Sequence, residues 1–185
     1  MKKKLFSVRG MVMCALFTAL LAAGAFIKIP MPLVPMTLQA QFALLAGVLL
    51  GARGGALSVA LYLLLGLCGL PVFTGGGGIG YVLRPTFGYI IGFLAGAVVA
   101  GLIAHRGSAP SFRRILAAQL AGLGVLYLIG VVYFYVICNY ATAQPVSVGT
   151  VLVSGFLLTL PNDLVLCVVG SLGAKRLMPV LQRGR

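Results

Sequence analysis

The chain has a single carboxylate side chain, Asp163, which lies in the middle of a long apolar stretch from 151 to 174. A charged side chain at the centre of a bilayer costs about 2.5–3.5 kcal/mol on insertion scales, so such residues face a bundle interior and mark sites for protons, ions or ligands. Pro161 and Asn162 directly precede it and indicate a kinked or broken helix, which frees backbone groups. We therefore predict that Asn162 and Asp163 point into an enclosed space. The structural alternatives are an internal ion pair with an arginine and a carboxylate that caps the second half of a broken helix.

A second group of residues that could contact a ligand lies between 69 and 89, in the sequence GLPVFTGGGGIGYVLRPTFGY. Runs of glycine can bind phosphate, but no Gly-Lys-Ser/Thr follows and no strand precedes, so a nucleotide site is not expected. We instead predict a flexible loop, re-entrant or capping, in which Phe73 and Tyr81 close over an apolar ligand while Arg84 leads into the next helix. The alternative for Arg84 is a plain interfacial anchor that reaches the lipid headgroups.

A third group consists of uncharged hydrogen-bonding residues, Thr37, Gln39 and Gln41, which follow a proline-rich segment and lie close in sequence to Lys28. They could form part of a ligand site. The structural alternative is a threonine that caps a helix and glutamines that bond neighbouring helices.

The sequence shows no catalytic or metal-binding constellation. His105 has no Ser or Cys partner at membrane depth, so nucleophilic catalysis is not indicated. The four cysteines lie in apolar stretches without CxxC spacing, and we interpret them as small core residues rather than ligands or bridges. We predict neither an enzyme nor a resident cofactor or metal.

Composition identifies the kind of chain that must position these residues. Only 8% of the residues are charged, 61% are apolar, and the mean hydropathy is +1.14. A soluble domain carries roughly 25% charged residues, so a soluble enzyme, a disulfide-rich secreted domain and a disordered tail are excluded. The net charge of +13 does not indicate nucleic-acid binding, because the basic residues lie at the edges of apolar stretches rather than on one polar module.

Six apolar stretches are long enough to be membrane spans, and they predict an all-α integral membrane protein, a compact bundle of six transmembrane helices in a single domain. The predicted spans are 11–27, 37–52, 55–72, 85–104, 115–138 and 151–174. Twelve of the fourteen basic residues fall on one side of such a bundle, and only Lys28 and Arg84 fall on the other. The excess of basic residues in cytoplasmic segments therefore predicts that both termini are cytoplasmic.

The first apolar stretch has an alternative interpretation as a secretory signal, since basic residues precede it and Ala23-Gly24-Ala25 resembles a cleavage site. Its length, from 10 to 27, favours a structural helix. Two stripes of small residues allow close helix packing, Gly88, Gly92 and Gly96 in the fourth span and Ala15, Ala19 and Ala23 in the first. We interpret the glycine stripe as packing inside the bundle and leave the role of the alanine stripe open.

Three sequence segments together resemble a known family. They are VPMTLQAQFALLAGVLLGARGGALSVALYLLLGLCGLPVF, GGGG followed by RPTFGYIIGF, and LPNDL. The chain is similar over roughly 11 to 178 to the biotin-specific substrate-binding components of energy-coupling-factor vitamin transporters, the BioY family. The resemblance implies high-affinity capture of biotin from outside a bacterial-type cell membrane. It also implies two kinds of partner, a transmembrane scaffold subunit and two cytoplasmic ATPase subunits that supply the energy.

The resemblance also suggests roles for particular residues. Substrate-binding components of this class carry a small-residue patch on the first helix that docks on the scaffold subunit, and Ala15, Ala19 and Ala22 or Ala23 fit that patch. Where many members read Pro-x-Asp-x-x-Lys, this chain has Leu166. Arg84, with Lys28 in reserve, is expected to supply the positive charge instead.

The functional groups of biotin give each candidate residue a task. The ureido group has two N–H donors and one carbonyl acceptor, so we expect Asp163 to accept from one or both N–H groups while Asn162, Gln39 or a loop amide donates to the carbonyl. Aromatic and aliphatic side chains would hold the apolar part, and Arg84 would pair with the carboxylate. The expected biotin-binding residues are Asp163, Asn162, Arg84, Tyr89, Gln39, Thr37, Phe73, Gly77, Gly78 and Lys28.

Two alternatives keep the membrane bundle and change its function. One is a substrate-binding component for another vitamin, which would share the six-helix form. The other is a secondary transporter driven by protons, with Asp163 as the proton site.

Overall fold

The apolar stretches fold into helices, and segments rich in proline, glycine or polar residues separate them. The structure is a computed structural model that describes residues 7–31, 33–107, 111–142 and 144–183. Within these residues six helical segments confirm the predicted all-α fold class. The α-helices are α1 (Val8–Phe26), α2 (Gln39–Leu50), α3 (Ala52–Leu67), α4 (Phe87–Ala104), α5 (Phe112–Val136), α6 (Val148–Leu152) and α7 (Leu160–Arg183). Helices α6 and α7 belong to the same segment, so seven helices form six segments.

Two of the six segments contain a π-helical turn. Residues Ile137–Ala141 continue α5, and Val153–Leu157 follows α6 and precedes α7 in the last segment. Such turns are rare, and they frequently occur at functional sites. The helix break expected from Pro161 therefore takes the form of a π-helical turn just before α7.

Four segments among the described residues are long and apolar enough to cross a membrane, whereas α2 and α3 have only 12 and 16 residues. At 1.5 Å per residue, α2 is about 18 Å long, against about 30 Å for the hydrocarbon core. Gly51, with φ of +84°, lies between the last residue of α2 and the first residue of α3 and separates the two helices. Most of α2 is buried by other helices, so its length need not match the lipid.

A two-stranded hairpin follows α1 where the sequence predicted only a proline-rich break. Strands β1 (Lys28–Ile29) and β2 (Met36–Thr37) pair antiparallel, with Lys28 opposite Thr37. We call the end of the bundle that carries this hairpin and residues 68–86 the hairpin end. The turn at Gly51 and the start of α5 lie at the other end.

The basic residues are segregated between the two ends of the bundle. Lys28 and Arg84 lie at the hairpin end, whereas Arg53 and Arg106 lie at the opposite end. At that opposite end the ring of His105 is hydrogen-bonded to the Val48 carbonyl at 2.9 Å, which brings the last turn of α4 beside the last turn of α2. This segregation is the basis for predicting that the hairpin end faces outward. Lys2, Lys3, Lys4, Pro32 and Arg185 lie outside the described residues.

Small residues bring α4 and α5 together, as predicted for the glycine stripe. A Cβ atom at Gly92 would lie 2.6 Å from the carbonyl oxygen of Leu126, and one at Gly96 would lie 2.7 Å from that of Gly122. Real side chains do not tolerate such approaches, so these two positions require glycine. Close approach of the two backbones places the start of α4 against α5, where the candidate site lies.

The alanine stripe of α1 faces away from the bundle. Ala15, Ala19 and Ala23 are exposed, whereas Ala22 is half-buried against the core. On the opposite face of α1, the hydroxyl of Thr18 donates to the Ser58 carbonyl of α3 at 2.9 Å. The core extends into that face of α1, so a cleavage just before Phe26 would remove part of the core.

Three of the four cysteines are buried, in agreement with their interpretation as core residues. They are Cys14, Cys138 and Cys167. The exception is Cys68, which follows α3 at the hairpin end and is exposed.

Candidate ligand-binding site

A cavity opens at the hairpin end, between the proline-rich segment, the loop after α3 and the start of α4. It contains about 310 Å³ of empty space, a volume that includes the solvent at its open mouth. Its lining consists of Val34, Pro35, Thr37, Gln39, Thr74, Tyr81, Thr86, Tyr89, Ile90 and Phe93. Hydroxyl and amide groups alternate there with apolar groups, which suits a small ligand with a polar and an apolar part.

One wall of the cavity is a hydrogen-bonded cluster around Gln39, the first residue of α2. The hydroxyl of Thr74 donates to Oε1 of Gln39 at 3.1 Å, and the side-chain nitrogen Nε2 of Gln39 donates to the Tyr62 hydroxyl. Tyr62 in turn donates to the Val72 carbonyl at 3.1 Å. The cluster connects α2, α3 and the following loop, so it holds Gln39 and Thr37 at the cavity in fixed orientations.

The glycine-rich loop is folded onto the end of α3. The Gly78 amide donates to the Gly66 carbonyl at 2.7 Å, and Phe73 and Gly76 exchange two backbone hydrogen bonds. A Cβ atom at Gly77 would collide with the Leu70 carbonyl. Gly77 and Gly78 are therefore needed for the path of the loop, and neither lines the cavity.

Phe73 supports the cavity from beneath and is not part of its lining. Its ring is 1% exposed and lies between the rings of Tyr62 and Tyr81, at centroid distances of 5.3 and 4.6 Å. Tyr81 is the aromatic side chain of this loop that reaches the cavity. Of the two rings predicted to close over a ligand, Tyr81 lines the cavity, whereas Phe73 lies behind it.

Two basic side chains flank the cavity lining at the hairpin end. The Arg84 guanidinium carbon lies 5.3 Å from the centroid of the Tyr81 ring, and the side chain is exposed. The Lys28 ammonium donates to the Thr74 carbonyl at 3.2 Å. Tyr81 and Thr74 both line the cavity, so the two cations lie where they would attract an anionic group.

Asp163 lies in the first turn of α7, just after the π-helical turn. Its Oδ2 accepts a hydrogen bond from the Tyr127 hydroxyl at 2.6 Å, and its Oδ1 accepts from the Asn162 amide at 3.3 Å. Neither partner is cationic, so these contacts give no support to the ion-pair alternative. The position at a helix start suits a carboxylate, which the partial positive charge of the first turn stabilises.

Tyr89 lines the cavity and lies next to Tyr127, the hydrogen-bond partner of Asp163. Its ring lies against Gly130 of α5, its hydroxyl donates to the Gly155 carbonyl at 2.8 Å, and its centroid is 6.3 Å from that of Tyr127. Gly155 belongs to the π-helical turn. A side chain at either glycine would meet Tyr89, so the sequence leaves space for this ring.

The structure therefore divides the predicted residues into groups. Thr37, Gln39 and Tyr89 line the cavity, whereas Asn162 and Asp163 do not and are connected to it through Tyr127 and Tyr89. Sequence reasoning missed Tyr127 and Thr159, which join Asp163 in a cluster. A hydroxyl group at membrane depth could have indicated a partner for Asp163. The chain has seven tyrosines, however, and no spacing rule distinguishes Tyr127 from the others.

The fold and the cavity together define a multi-pass membrane protein whose helix bundle has a cavity lined by polar and apolar groups at one end. The model of the BioY family matches residues 1–183. The chain belongs to the BioY family.

Similar proteins agree with this assignment. The chain is 46% identical over 179 residues to a probable biotin transporter BioY of Lysinibacillus sphaericus, covering 97% of this chain and 91% of that protein. It is 42% identical over 173 residues to the biotin transporter BioY of Thermotoga maritima, covering 92% and 96%. Among solved structures, it resembles the S-component for biotin from an ECF-type ABC transporter, with a TM-score of 0.81, 27% identity and coverage of 96% and 94%.

Proposed function

We propose that this protein takes up biotin as the substrate-binding membrane subunit of an ECF-type transporter. The relatives at 46% and 42% identity are biotin transporters, probable in the first case, and the similar solved structure is a biotin S-component. The observation that carries the proposal is the cavity at the hairpin end, whose lining residue Tyr89 lies next to Tyr127, the partner of the one aspartate of the chain.

Biotin would lie with its ureido ring deep in the bundle and its carboxylate at the hairpin end. The carboxylate of Asp163 accepts from the ureido N–H groups, and Asn162 or Gln39 donates to the ureido carbonyl. The apolar ring and chain pack against Ile90 and Phe93 of the lining, as apolar ligand parts do in concave sites.

The ligand carboxylate pairs with the cations at the mouth. Arg84 lies over Tyr81 and is exposed, so it can reach an anionic group without losing an existing ion pair among the described residues. Lys28 is the second cation on this side. Gly77 and Gly78 contribute by holding the loop in its path, and Phe73 by supporting Tyr81.

Contact between the ureido ring and Asp163 requires the ring of Tyr89 to turn aside. That movement breaks the hydrogen bond from Tyr89 to the Gly155 carbonyl, which costs about 1 kcal/mol. A hydrogen bond to a charged carboxylate contributes about 1.5–3 kcal/mol, so the exchange favours the bound form.

Uptake needs energy from other subunits, which the proposal assigns to a transmembrane scaffold subunit and two cytoplasmic ATPases. The exposed stripe of Ala15, Ala19 and Ala23 on α1 is the surface proposed to dock on the scaffold. Small side chains allow close approach of a partner helix within the bilayer. The half-buried Ala22 adjoins the stripe without being part of its exposed face.

Mass spectrometry of the detergent-purified protein tests the substrate. Biotin is expected in the extract, and a different vitamin would retain the fold while overturning the substrate. Calorimetric titration of the ligand-free protein then compares the wild type with Asp163→Asn. We expect weaker binding by a monodisperse variant, because the amide replaces an acceptor by a donor; an unchanged affinity would refute the role of Asp163.

Transport assays in cells test the energy source. Uptake is expected to need intact ATPase subunits and to survive collapse of the proton gradient as long as ATP is maintained. Uptake that stops with the proton gradient while the ATPase is intact would favour a proton-coupled transporter instead.

A further inference from the structure

The Tyr127 hydroxyl connects two groups of the last helical segment. It donates to Oδ2 of Asp163 at 2.6 Å and lies 2.8 Å from the Thr159 hydroxyl. The Tyr127 side chain is 4% exposed, and its ring packs edge-on against Phe156 at a centroid distance of 5.0 Å. Helix α5 therefore holds this hydroxyl firmly beside the carboxylate of α7.

The direction of the hydrogen bonds follows from counting protons. An ionised carboxylate only accepts, so the single proton of the Tyr127 hydroxyl points to Asp163. The contact to Thr159 then runs the other way: the threonine hydroxyl donates to the Tyr127 oxygen at 2.8 Å and shares its proton with the more distant Phe156 carbonyl at 3.2 Å. A hydroxyl that accepts one hydrogen bond while it donates another is polarised and donates more strongly.

Asp163 retains acceptor capacity after these contacts. A carboxylate has about four lone-pair positions, and in the structure Tyr127 and Asn162 use one each. Tyr127 holds one edge of the carboxylate, so the remaining positions have a defined direction. The two N–H groups of a cyclic urea diverge on either side of its carbonyl, so a carboxylate that accepts from one of them must present a lone pair in a set direction.

We propose that Tyr127 is a positioning residue for biotin: its hydroxyl, supported by Thr159, orients the Asp163 carboxylate so that a free lone pair faces a ureido N–H group. This inference rests on the proposed role of Asp163 in biotin binding. Tyr127 itself acts through Asp163 and need not touch the ligand.

Tyr127→Phe tests this directly, because it removes the hydroxyl and keeps the ring that packs on Phe156. We expect biotin affinity to fall about tenfold, the effect of one lost hydrogen bond to a charged group. Tyr140→Phe is the matched control, since Tyr140 lies in the π-helical continuation of α5 and is 80% exposed. The affinity of the Tyr140→Phe variant for biotin is expected to equal that of the wild type.

Two variants of Thr159 separate positioning from packing. Thr159→Val removes the donor to Tyr127 with little change of shape, and we expect a smaller loss of about threefold, in line with a neutral hydrogen bond. Thr159→Ser restores the hydroxyl and should restore the affinity. Equal affinities of the valine and serine variants would overturn the part assigned to Thr159.

Infrared spectroscopy provides a readout that does not depend on biotin. Asp163 is the only Asp or Glu of the chain, so cell-free synthesis with aspartate carrying ¹³C in the side-chain carboxyl gives one labelled carboxylate band. Tyr127→Phe should shift this band in the ligand-free protein, and Tyr140→Phe should not. An identical band in Tyr127→Phe and the wild type would overturn the inference, because the hydroxyl would then not orient the carboxylate.

A double-mutant comparison distinguishes failure of this inference from failure of the proposed function. If Asp163→Asn binds biotin as the wild type does, the proposed role of Asp163 fails, and the inference fails with it. If Asp163→Asn weakens binding while Tyr127→Phe leaves it unchanged or tighter, only the inference fails. The expected result is that Tyr127→Phe loses about tenfold in the wild type and less than about threefold in the Asp163→Asn background, where the acceptor is neutral.

Discussion

A network of buried amides joins three helices in the centre of the bundle, and replacing Gln119 by methionine would break it. Gln119 of α5 is completely buried. Its Nε2 donates to the Ser171 hydroxyl at 2.8 Å and to the Cys167 carbonyl at 3.2 Å, both on α7. Its Oε1 accepts from Nε2 of Gln41, on α2, at 2.9 Å. Methionine matches the length of the side chain and makes none of these bonds.

The expected cost has two parts. Hydrogen bonds between membrane helices average about 0.6 kcal/mol each, so the lost bonds account for about 2 kcal/mol. The variant also leaves the Gln41 amide nitrogen buried without an acceptor, and an unsatisfied buried donor costs about 1–3 kcal/mol. We expect Gln119→Met to lower the free energy of unfolding by about 3–5 kcal/mol, or the melting temperature by about 6–20 °C.

The chain itself suggests the assay. It has no tryptophan, so unfolding is best followed with a thiol-reactive fluorophore in detergent. Cys14, Cys138 and Cys167 are buried and react only on unfolding, and Cys68, which is exposed, is first replaced by serine. Gln144→Met is the matched control, because the Gln144 side chain is exposed in the loop before α6. The melting temperature of the Gln144→Met variant should equal that of the parent protein, in which Cys68 is serine.

A triple variant decides whether the orphaned partners are the cause. Gln41→Met, Gln119→Met and Ser171→Ala together remove every side-chain member of the network, so no donor is left unsatisfied. This variant should be more stable than Gln119→Met alone, by about 1 kcal/mol or more. Gln119→Met melting within 1 °C of the control, or a triple variant less stable than the single one, would refute the reasoning.

The remaining predictions concern the loop, the docking face and the cavity mouth. Gly66→Ala should weaken biotin binding about tenfold or more, because a Cβ atom there would collide with the Phe73 ring and displace the loop beneath the cavity. Ala19→Leu should abolish co-purification with the scaffold and ATPase subunits and leave biotin binding by the isolated protein unchanged, because it adds bulk only to the exposed face of α1. Arg84→Ala should weaken binding of biotin about tenfold and that of the neutral amide of biotin much less, because only biotin carries the charge that Arg84 pairs with.

Each of these predictions has a matched control and an outcome that contradicts it. For the loop, Gly80→Ala is the control, since a Cβ atom there meets nothing within 4 Å, and equal affinities of the two glycine variants would be the contrary result. For docking, Ala117→Leu adds the same bulk to an exposed position of α5, and loss of assembly in both variants would show no preference for α1. For Arg84→Ala at the cavity mouth, the control is Arg53→Ala, which removes a cation at the opposite end of the bundle. Equal losses for biotin and its amide in Arg84→Ala would mean that Arg84 does not bind the carboxylate.

Composition and spacing were sufficient for the class of the protein and for part of its packing. Long apolar stretches predict membrane helices because each backbone group in lipid must be bonded within its own segment, which is a local requirement. The glycine stripe likewise predicted a close helix contact, and Gly92 and Gly96 make one with α5. Residue counts also marked Asp163 as exceptional before any geometry was known.

Other features depend on how the helices pack. The break that Pro161 suggested is a π-helical turn at Val153–Leu157, whose Gly155 receives the Tyr89 hydroxyl. The glycine-rich loop looked flexible in sequence, yet its glycines allow it to fold closely onto α3. Phe73 looked like a ligand contact and instead lies beneath the lining, because Gly66 leaves space for its ring.

The sequence by itself determined a multi-pass membrane bundle with one buried acid and two cations at the hairpin end, because composition and helix length are properties of each segment. It did not determine which side chains meet. Tyr127 and Asp163 are separated by 36 positions, and they come together only because α5 and α7 pack side by side. The tertiary structure therefore decided which hydroxyl holds the carboxylate and which ring of the cavity lining packs beside that tyrosine, since those contacts arise from packing between segments that no local pattern encodes.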